Sequence, residues 1–465
     1  MIGPHQDPLT RRRFLTRGSA GIGAAALASL LRDGSADELL PHFAPKAKRV
    51  IYLHMSGGPS QIETFDPKPQ LEKWHGKEIP PTVRGKQRLT TMTRTQAKIL
   101  VAKSEHKFMQ VGDAGLEMNV LFKETAKVVD ELCFIRSLST EPINHDPAVT
   151  FLQTGSLLSG RPSMGSWLSY GLGSENANLP TFLVLLSGGG QPVPSRYWHN
   201  GFLPSKHQGV QFQSKGDPVL YLSNPQGISH ENRGKMIERI SELNRLRHLQ
   251  VGDPEIEARI DAFQLAYRMQ ASVPDLMDIS RESPATLEAY GAKPGGGSFA
   301  NNCLLARRLA EAGVRFIQLY DRGWDHHDNI TKNIPGKINT VDKASAALIR
   351  DLKQRGMLDE TLVIWGGEFG RTAYAQTRSK AFGRDHHPRC FSIWMAGGGI
   401  KGGIVHGETD DFSYNVARDK VHVHDLQATI LHLLGIDHEH LTFRFKGRDF
   451  RLTDVHGKVV HQVLA

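Results

Sequence analysis

Short apolar runs, rich in β-branched residues, recur along this chain and end in glycine, serine or aspartate. Runs of this length, bounded by turn residues, are typical of buried β-strands. The pattern predicts six strands: Arg49–Met55, Leu132–Leu138, Thr181–Leu186, Val314–Tyr320, Thr361–Trp365 and Phe391–Ala396.

Between many of these strands, apolar residues recur at three- and four-residue spacing, which indicates amphipathic helices. Apolar strands that alternate with such helices favour an α/β fold whose mainly parallel sheet is covered on both faces. In such sheets ligands bind beyond the carboxyl ends of the strands. The predicted helices are Phe122–Glu131, Pro147–Gly155, Met164–Gly173, Asn301–Ala312, Ile338–Gln354 and Asp425–Leu434.

The alternation is interrupted in the middle of the chain. Ser187–Asn232 is rich in glycine, proline and serine and reads as long loops, and Gly234–Gln250 and Pro254–Met269 follow as two charged helices. We interpret residues 190–300 as an insertion that caps the sheet, within one domain spanning residues 47–465.

The N-terminus has the features of an export signal. Thr10–Thr16 contains a twin-arginine motif, a small-residue apolar run follows over Gly18–Leu31, and Ala26–Ala28 supplies an A-x-A-like cleavage site. The alternative, an ordinary amphipathic helix, is weakened by three glycines in the run. The sequence therefore predicts a signal peptide over residues 1–28 and a linker over 29–46.

This signal implies a place for the mature protein. We expect the twin-arginine translocase to export the chain, which would then be periplasmic or extracellular. The apolar run has 14 residues, fewer than the roughly 20 that span a bilayer as a helix, so no stable membrane span is expected after cleavage.

Charge and cysteine content exclude two other classes. The net charge is +9, but the basic residues are scattered and form no dense block, so no nucleic-acid partner is expected. The three cysteines are odd in number and widely spaced, which argues against a disulfide framework. Twelve of the 22 histidines lie in residues 321–465, so candidate chemistry concentrates there.

The densest polar cluster directly follows the predicted strand Val314–Tyr320. It contains Asp321, Asp325, His326 and His327. Carboxylates and imidazoles on a loop that leaves a buried strand suit a divalent metal with nitrogen and oxygen ligands, although a solvated polar loop would have the same composition. Adjacent histidines point in different directions, so we expect only one of the two to bind.

Three further clusters stand beside predicted strands. Glu368 leaves a strand through a glycine turn, and Arg371 would clamp an oxyanion unless the two form a surface pair. His386 and His387 precede a strand, where one would ligate and the other support it. His145 stands at a helix entry, where anions are favoured.

The layout resembles the alkaline phosphatase and sulfatase superfamily. One predicted helix ends with Leu152–Gly155, a segment similar to the Leu-Leu-Thr-Gly of sulfatases. The segment Thr361–Gly370 is similar to the sulfatase strand that ends in Ser-Asp-His-Gly. The resemblance implies a three-layer α/β/α sandwich with a loop and helix insertion, divalent metal ions, and activity on phosphate or sulfate esters.

The chain resembles still more closely a bacterial family of unknown function, the domain-of-unknown-function fifteen-oh-one group, whose members are exported and often labelled sulfatases. The segments that carry this likeness are Ser56–Ser60, Thr64–Lys68, Gly323–Asn329, Gly366–Thr372 and His386–Pro388.

Against the superfamily pattern, His145 occupies the position of the usual hydroxyl or cysteine nucleophile, and Glu368 replaces an aspartate. The first-strand aspartate ligand is also missing; Ser56 or His54 stands there, with Asp66 nearby.

The resemblance implies a metal site that holds one or two ions, zinc first, with calcium, manganese or magnesium as alternatives. In alternative ligand sets, Asp321 would take the place of Asp325, and the other histidine of each adjacent pair would be the ligand. The implied ligands are Asp325, His326, Glu368 and His386, with His327 and His387 as the exchanged members.

The leading hypothesis is an exported metal-dependent hydrolase of a phosphorylated or sulfated small molecule or polysaccharide. His145 would act as general base or acid, or as a nucleophile, and Arg371 would stabilise the oxyanion. Two alternatives remain: a non-catalytic metal- or glycan-binding protein on a degenerate phosphatase fold, and an envelope scaffold that uses Ser187–Asn232 as a contact surface.

Overall fold

The computed structural model describes the chain over residues 41–190, 192–214, 217–219, 222–376 and 381–465. The signal peptide predicted over residues 1–28, and all but the end of the linker, lie outside the described residues. Among the described residues, no helix is both long enough and apolar enough to cross a membrane.

The strands are β1 Arg49–Ser56, β2 Phe108–Val111, β3 Leu116–Asn119, β4 Leu132–Ser139, β5 Phe182–Gly188, β6 Val210–Phe212, β7 Phe316–Arg322, β8 Thr361–Gly366, β9 Gly370–Ala375, β10 Arg384–His387, β11 Phe391–Ala396, β12 Ile404–His406, β13 Glu408–Thr409, β14 Val416–Arg418, β15 Val421–His422, β16 Phe443–Phe445 and β17 Arg448–Phe450. The six predicted strands correspond to β1, β4, β5, β7, β8 and β11, so each of those predictions is confirmed.

The α-helices are α1 Gln61–Thr64, α2 Gln70–Trp74, α3 Pro81–Arg84, α4 His145–Thr154, α5 Met164–Leu172, α6 His230–Val251, α7 Pro254–Met277, α8 Pro284–Tyr290, α9 Phe299–Glu311, α10 Ile330–Gln354 and α11 Val423–Leu433. Short 3-10 helices span Thr125–Glu131, Ser195–Trp198, Ser205–His207, Ile279–Arg281, Leu358–Glu360 and His461–Val463. The helix predicted over Phe122–Glu131 was wrong in type, since this segment forms only the first of these 3-10 helices.

Strand β1 lies inside a nine-stranded sheet of order β12-β4-β11-β8-β1-β7-β5-β6, with β15 paired to β4 beside β12. Its pairs with β7 and β8 are parallel, whereas β11 runs antiparallel to both of its neighbours. Ile51, Leu53 and Met55 enter one core and Val50 and Tyr52 the other, as the two-residue period of a strand requires. The prediction of a mainly parallel sheet covered on both faces is therefore confirmed.

The two long helices of the middle segment pack against each other. Helix α7 also contacts α9 and the 3-10 helix Ser205–His207, and its Met269 and Val273 join the core on the α9 and α10 face of the sheet. That residues 190–300 act as a cap over a site stays a prediction.

The carboxyl ends of the central parallel strands are level. Ser56 of β1 pairs with Arg322 of β7, which in turn pairs with Gly188 of β5, and His54 pairs with Gly366 of β8. Side chains on the loops that leave these strands therefore meet at one edge of the sheet.

Candidate metal centre

Four side chains from three parts of the chain converge at the carboxyl edge of the sheet. They are His145, Asp325, His327 and His386, and one potential ligand atom of each lies within 4.8 Å of the ligand atoms of the others. Among the residues that the structure describes, no other group of three or more histidine, cysteine or acidic side chains comes this close together.

Three local structures deliver the four members. Asp325 and His327 lie on the loop after β7, and His145 is the first residue of α4. His386 belongs to β10, which forms an antiparallel hairpin with β9 and pairs with Arg371 there. The chain then enters β11, whose antiparallel direction places its first residues, and β10 before it, at the carboxyl edge of the parallel strands.

The carboxylate of Asp325 is the centre of the group. Its Oδ1 lies 3.1 Å from Nε2 of His145, 2.8 Å from Nε2 of His327 and 3.4 Å from Nε2 of His386. Nε2 is thus the nitrogen that each imidazole presents to the same oxygen.

The other nitrogen of each imidazole is held by an acceptor outside the centre. Nδ1 of His145 lies 2.6 Å from Oε1 of Glu368, and Nδ1 of His386 lies 2.7 Å from the carbonyl oxygen of Ile143. Nδ1 of His327 contacts Oε1 of Gln376. An imidazole that donates through Nδ1 leaves Nε2 free to bind a metal, and such outer contacts fix the ring orientation.

Arg371 positions the carboxylate of Asp325 by a hydrogen bond. Its fully buried guanidinium donates to Oδ1 of Asp325 at 2.7 Å, to the carbonyl of Gly58 at 2.8 Å and to that of Arg384 at 3.1 Å. A further contact reaches the carbonyl of Gly57. With its donors engaged in this way, Arg371 positions the central carboxylate, and the structure does not present it to a substrate oxyanion.

Glu368 positions the imidazole of His145, as Arg371 positions Asp325. The carboxylate is buried, and it accepts the backbone N–H of Gly57 at 3.0 Å (Oε1) and 3.3 Å (Oε2). Its Oε2 also lies 3.5 Å from Nε2 of the buried His54. Glu368 therefore lies behind the ring of His145, one step away from the centre.

The pKa values of the central residues are shifted by burial and by these contacts. Burial raises the pKa of the Asp325 carboxyl, but the contacts with His145, His327 and His386 outweigh burial and hold that pKa well below its usual range. Burial lowers the pKa of His386 to about 4, with the Asp325 contact opposing, so this imidazole is neutral. For His145 burial also lowers the pKa, but the Asp325 and Glu368 contacts prevail and raise it to about 9.

Three of the other candidate residues lie outside the centre. Asp321 is buried and accepts from Lys337 Nζ at 2.6 Å and from the indole N–H of Trp324 at 3.1 Å. The structure therefore places Asp321 in an internal ion pair.

The two histidines next to the ligand set also point elsewhere. Nε2 of His387 lies 2.7 Å from the carbonyl oxygen of Tyr414, on whose ring it stacks. His326 is buried near Trp324, and burial lowers its pKa to about 4. Of each histidine pair, the structure brings one member into the centre, His327 and His386.

Some residues that shape the centre carried no signal in the sequence. Gln376 lies on no motif, and the carbonyl oxygens of Ile143, Gly57 and Gly58 belong to the backbone, whose position only the fold determines. Gln376 follows β9, a strand that the sequence pattern does not predict, so nothing in the sequence marks this glutamine.

The donor set fits a divalent metal ion. Imidazole nitrogens together with one carboxylate are the ligands that zinc accepts, and tetrahedral zinc takes four. The three outer contacts on Nδ1 are those expected around ligating histidines. His145, Asp325 and His327 keep 17, 16 and 24 % of their side-chain surface, so the centre is open on one side.

The fold and this centre define an α/β protein whose His/Asp cluster, at the carboxyl edge of a mainly parallel sheet, could hold a metal ion. The profile described as "Protein of unknown function (DUF1501)" matches residues 47–464, and the chain belongs to this family. No curated protein matches the sequence.

Three solved structures are similar at low levels. Ps i-CgsB in complex with k-i-k-neocarrahexaose is 10 % identical over 84 % of this chain and 72 % of its own, with a TM-score of 0.36. The PsFucS1 sulfatase from Pseudoalteromonas sp. is 12 % identical over 91 % and 72 %, with a TM-score of 0.34. A TAB5 alkaline phosphatase variant with Mg bound is 12 % identical over 84 % and 99 %, also at 0.34. Likenesses of this size carry no argument about the activity of this chain.

Glu368→Gln is expected to weaken metal binding by about 10- to 100-fold, the usual effect of losing an outer hydrogen bond to a ligating histidine. The amide removes the charge that holds Nδ1 of His145 and nearly conserves volume. Competition with a metal-binding dye measures the affinity. Glu360→Gln is the matched control, because Glu360 pairs with Lys48 near the opposite edge of the sheet; equal affinities in both variants would contradict the role of Glu368.

Proposed function

We propose that this protein is an exported, metal-dependent hydrolase of phosphate or sulfate esters. The observation that carries the proposal is the convergence of three Nε2 atoms on one carboxylate oxygen, Oδ1 of the partly exposed Asp325, while an acceptor outside the centre holds each Nδ1. An ordinary surface ion pair requires no such second layer of contacts.

His145, Asp325, His327 and His386 would hold the ion, and we propose zinc. When bound, such an ion polarises an ester oxygen and lowers the pKa of bound water. Glu368 orients His145, Arg371 orients Asp325, and the ring of Phe369 packs 5.0 Å from His145 and 4.7 Å from His386, where it excludes water from that side. This gives His145 the role of a ligand, and not that of a nucleophile or general base.

The substrate class and the location rest on the sequence. The Leu152–Gly155 helix end and the strand Thr361–Gly370 resemble the sulfatase and phosphatase pattern, which supports a phosphorylated or sulfated small molecule or polysaccharide. The twin-arginine motif at Thr10–Thr16 supports export through the twin-arginine translocase to the periplasm or beyond.

A test combines metal content with turnover. We expect elemental analysis of the natively exported protein to find one zinc ion per chain, because the described residues offer one such cluster. A panel of aryl and sugar phosphates and sulfates should then be hydrolysed, with activity lost on chelation and restored by added zinc. A well-folded protein that takes up no metal would overturn the proposal. Metal retained in His145→Ala together with lost turnover would instead make His145 a general base.

One observation favours a second candidate, a metal-binding protein without turnover. Four protein ligands complete the tetrahedron of a structural zinc site, whereas catalytic sites usually keep one position for water. Tightly held zinc with no hydrolysis across the whole panel would select this second function.

A further inference from the structure

One loop beside the metal centre combines an uncharged inner face with a cationic outer face. It belongs to residues 79–104, which contain six basic side chains and no acidic one. The central part, residues 86–96, lies between α3 and β2 and belongs to neither. We call residues 86–96 the strap, because they lie against the hairpin of β9 and β10 that carries His386.

The inner face of the strap reaches the metal ligand His386 through its neighbour Asp385. The hydroxyl groups of Thr90 and Thr93 both contact Oδ2 of Asp385, which is buried. Oδ1 of the same carboxylate accepts the backbone N–H of His386 at 2.8 Å. One residue therefore separates the strap from a ligand of the centre.

The inner face reaches a second ligand, His327, through Gln376. Nε2 of Gln376 donates to Sδ of Met92 at 3.2 Å, and the side chain of Gln96 contacts the backbone carbonyl of Gln376. Oε1 of Gln376 contacts Nδ1 of His327. Met92 and His327 are both partly exposed, so the strap borders the centre on its open side.

The charge of the strap is confined to its outer face. Lys86, Arg88 and Arg94 are exposed, and within the described part of the chain none of the three side chains forms an ion pair or a hydrogen bond. Arg88 and Arg94 lie within two residues of Thr90 and Thr93, which contact the same carboxylate oxygen. The two arginines therefore flank one point of the surface.

Two basic residues that follow the strap add no free charge. Lys103 pairs with Glu72 at 3.1 Å. Lys98 lies near Glu78, whose backbone pairs with that of Leu100. The uncompensated positive charge is thus concentrated on the strap itself, next to the centre.

The composition of this surface indicates which anions it suits. Exposed cations around a site attract anionic molecules, and the planar guanidinium group matches the oxygen atoms of phosphate and sulfate. Residues 79–104 contain no aromatic side chain, so they offer no ring on which nucleic-acid bases would stack. The outer face therefore suits clustered sulfate or phosphate groups.

We infer that the strap binds an anionic group of the substrate other than the ester that reacts. Resting on the proposed function, this defines the substrate class as molecules with several sulfate or phosphate groups. One group reaches the metal centre while another contacts Arg88 and Arg94. Because both groups belong to one molecule, the second contact adds affinity without a second loss of translational freedom.

The test is calorimetric binding of sucrose octasulfate and of glucose bisphosphate to the natively exported protein. We expect Arg88→Ala/Arg94→Ala to raise the Kd of the tighter-binding probe about tenfold, the effect of two exposed charge contacts. Added salt should weaken binding to the unaltered protein, and methyl sulfate and methyl phosphate should bind more weakly than either probe. The matched control is Arg239→Ala/Arg247→Ala, two exposed arginines of α6, which packs against α7.

Metal affinity, measured by dye competition, separates an outer role of the strap from an inner one. The strap variant should bind metal as the unaltered protein does, because Thr90, Thr93 and Gln96 keep their contacts with the hairpin. Anion binding that is lost only together with metal would overturn the inference. So would equal losses in the two arginine variants, no binding of either probe, or equally tight binding of a uridine oligomer.

Calorimetry needs no turnover, so it decides the role of the strap even if no ester is hydrolysed. If turnover is found, the strap variant should raise KM for an ester with several sulfate or phosphate groups and leave kcat unchanged. Hydrolysis of an aryl ester with a single anionic group should be unaffected. An equal rise in KM for the aryl ester would place the two arginines at the reacting ester and contradict the assignment.

Discussion

His327→Ala is expected to remove the metal ion from the mature protein, whereas His326→Ala should leave it bound. Nε2 of His327 lies 2.8 Å from Oδ1 of Asp325, while the ring of His326 is buried near Trp324. Loss of a direct ligand should weaken metal binding by more than the roughly 100-fold that the loss of an outer hydrogen bond to a ligand causes. Elemental analysis of both variants, after identical purification, measures the difference.

Because the two histidines are adjacent, this pair of variants separates ligation from a general effect on the loop. The cost of His326→Ala should appear in stability, since it leaves a small cavity beside Trp324. Retention of metal by the His327 variant, or its loss from the His326 variant, would contradict the arrangement of the centre. The corresponding comparison of His386 with His387 is less clean, because His387 is held by Tyr414 inside the core.

The strands could be predicted because burial on both faces leaves a strong local signal. β1 has seven buried residues in succession, and β11 is buried throughout. Direction leaves no such signal: β11 reads like a parallel strand but runs antiparallel. That reversal brings β10, and with it His386, to the carboxyl edge.

The sequence predicted the set of candidate residues for the centre, but it could not predict which of them are ligands. Density of histidine and aspartate marked the loop after β7, yet which of His326 and His327 turns inward depends on the contact of His327 with Gln376. The sequence predicts that Arg371 stabilises an oxyanion, and the structure adds that its buried guanidinium contacts three backbone carbonyls. Long-range contacts of this kind leave no trace in local spacing.

Glu63→Gln is expected to lower the free energy of unfolding by about 3–5 kcal/mol, the usual cost of breaking a buried ion pair. Glu63 and Arg384 are both buried, and the carboxylate meets Nε at 3.1 and 3.0 Å and Nη2 at 2.8 Å. The amide of glutamine keeps one acceptor oxygen but removes the negative charge that compensates the buried guanidinium, whose other side-chain contact is with the carbonyl of Thr372. Urea denaturation followed by circular dichroism measures the change.

The matched control is Glu408→Gln, which removes the exposed partner of Arg418 at 2.6 Å and should cost at most about 1 kcal/mol. A double variant, Glu63→Met with Arg384→Met, should recover most of the loss, because apolar side chains that replace both partners leave no buried charge. Arg384 lies two residues before His386 on β10, so Glu63→Gln should also weaken metal binding, and Glu408→Gln should not. If Glu63→Gln lowers the stability as expected but leaves the metal affinity unchanged, then α1 supports the fold without positioning the hairpin that carries His386.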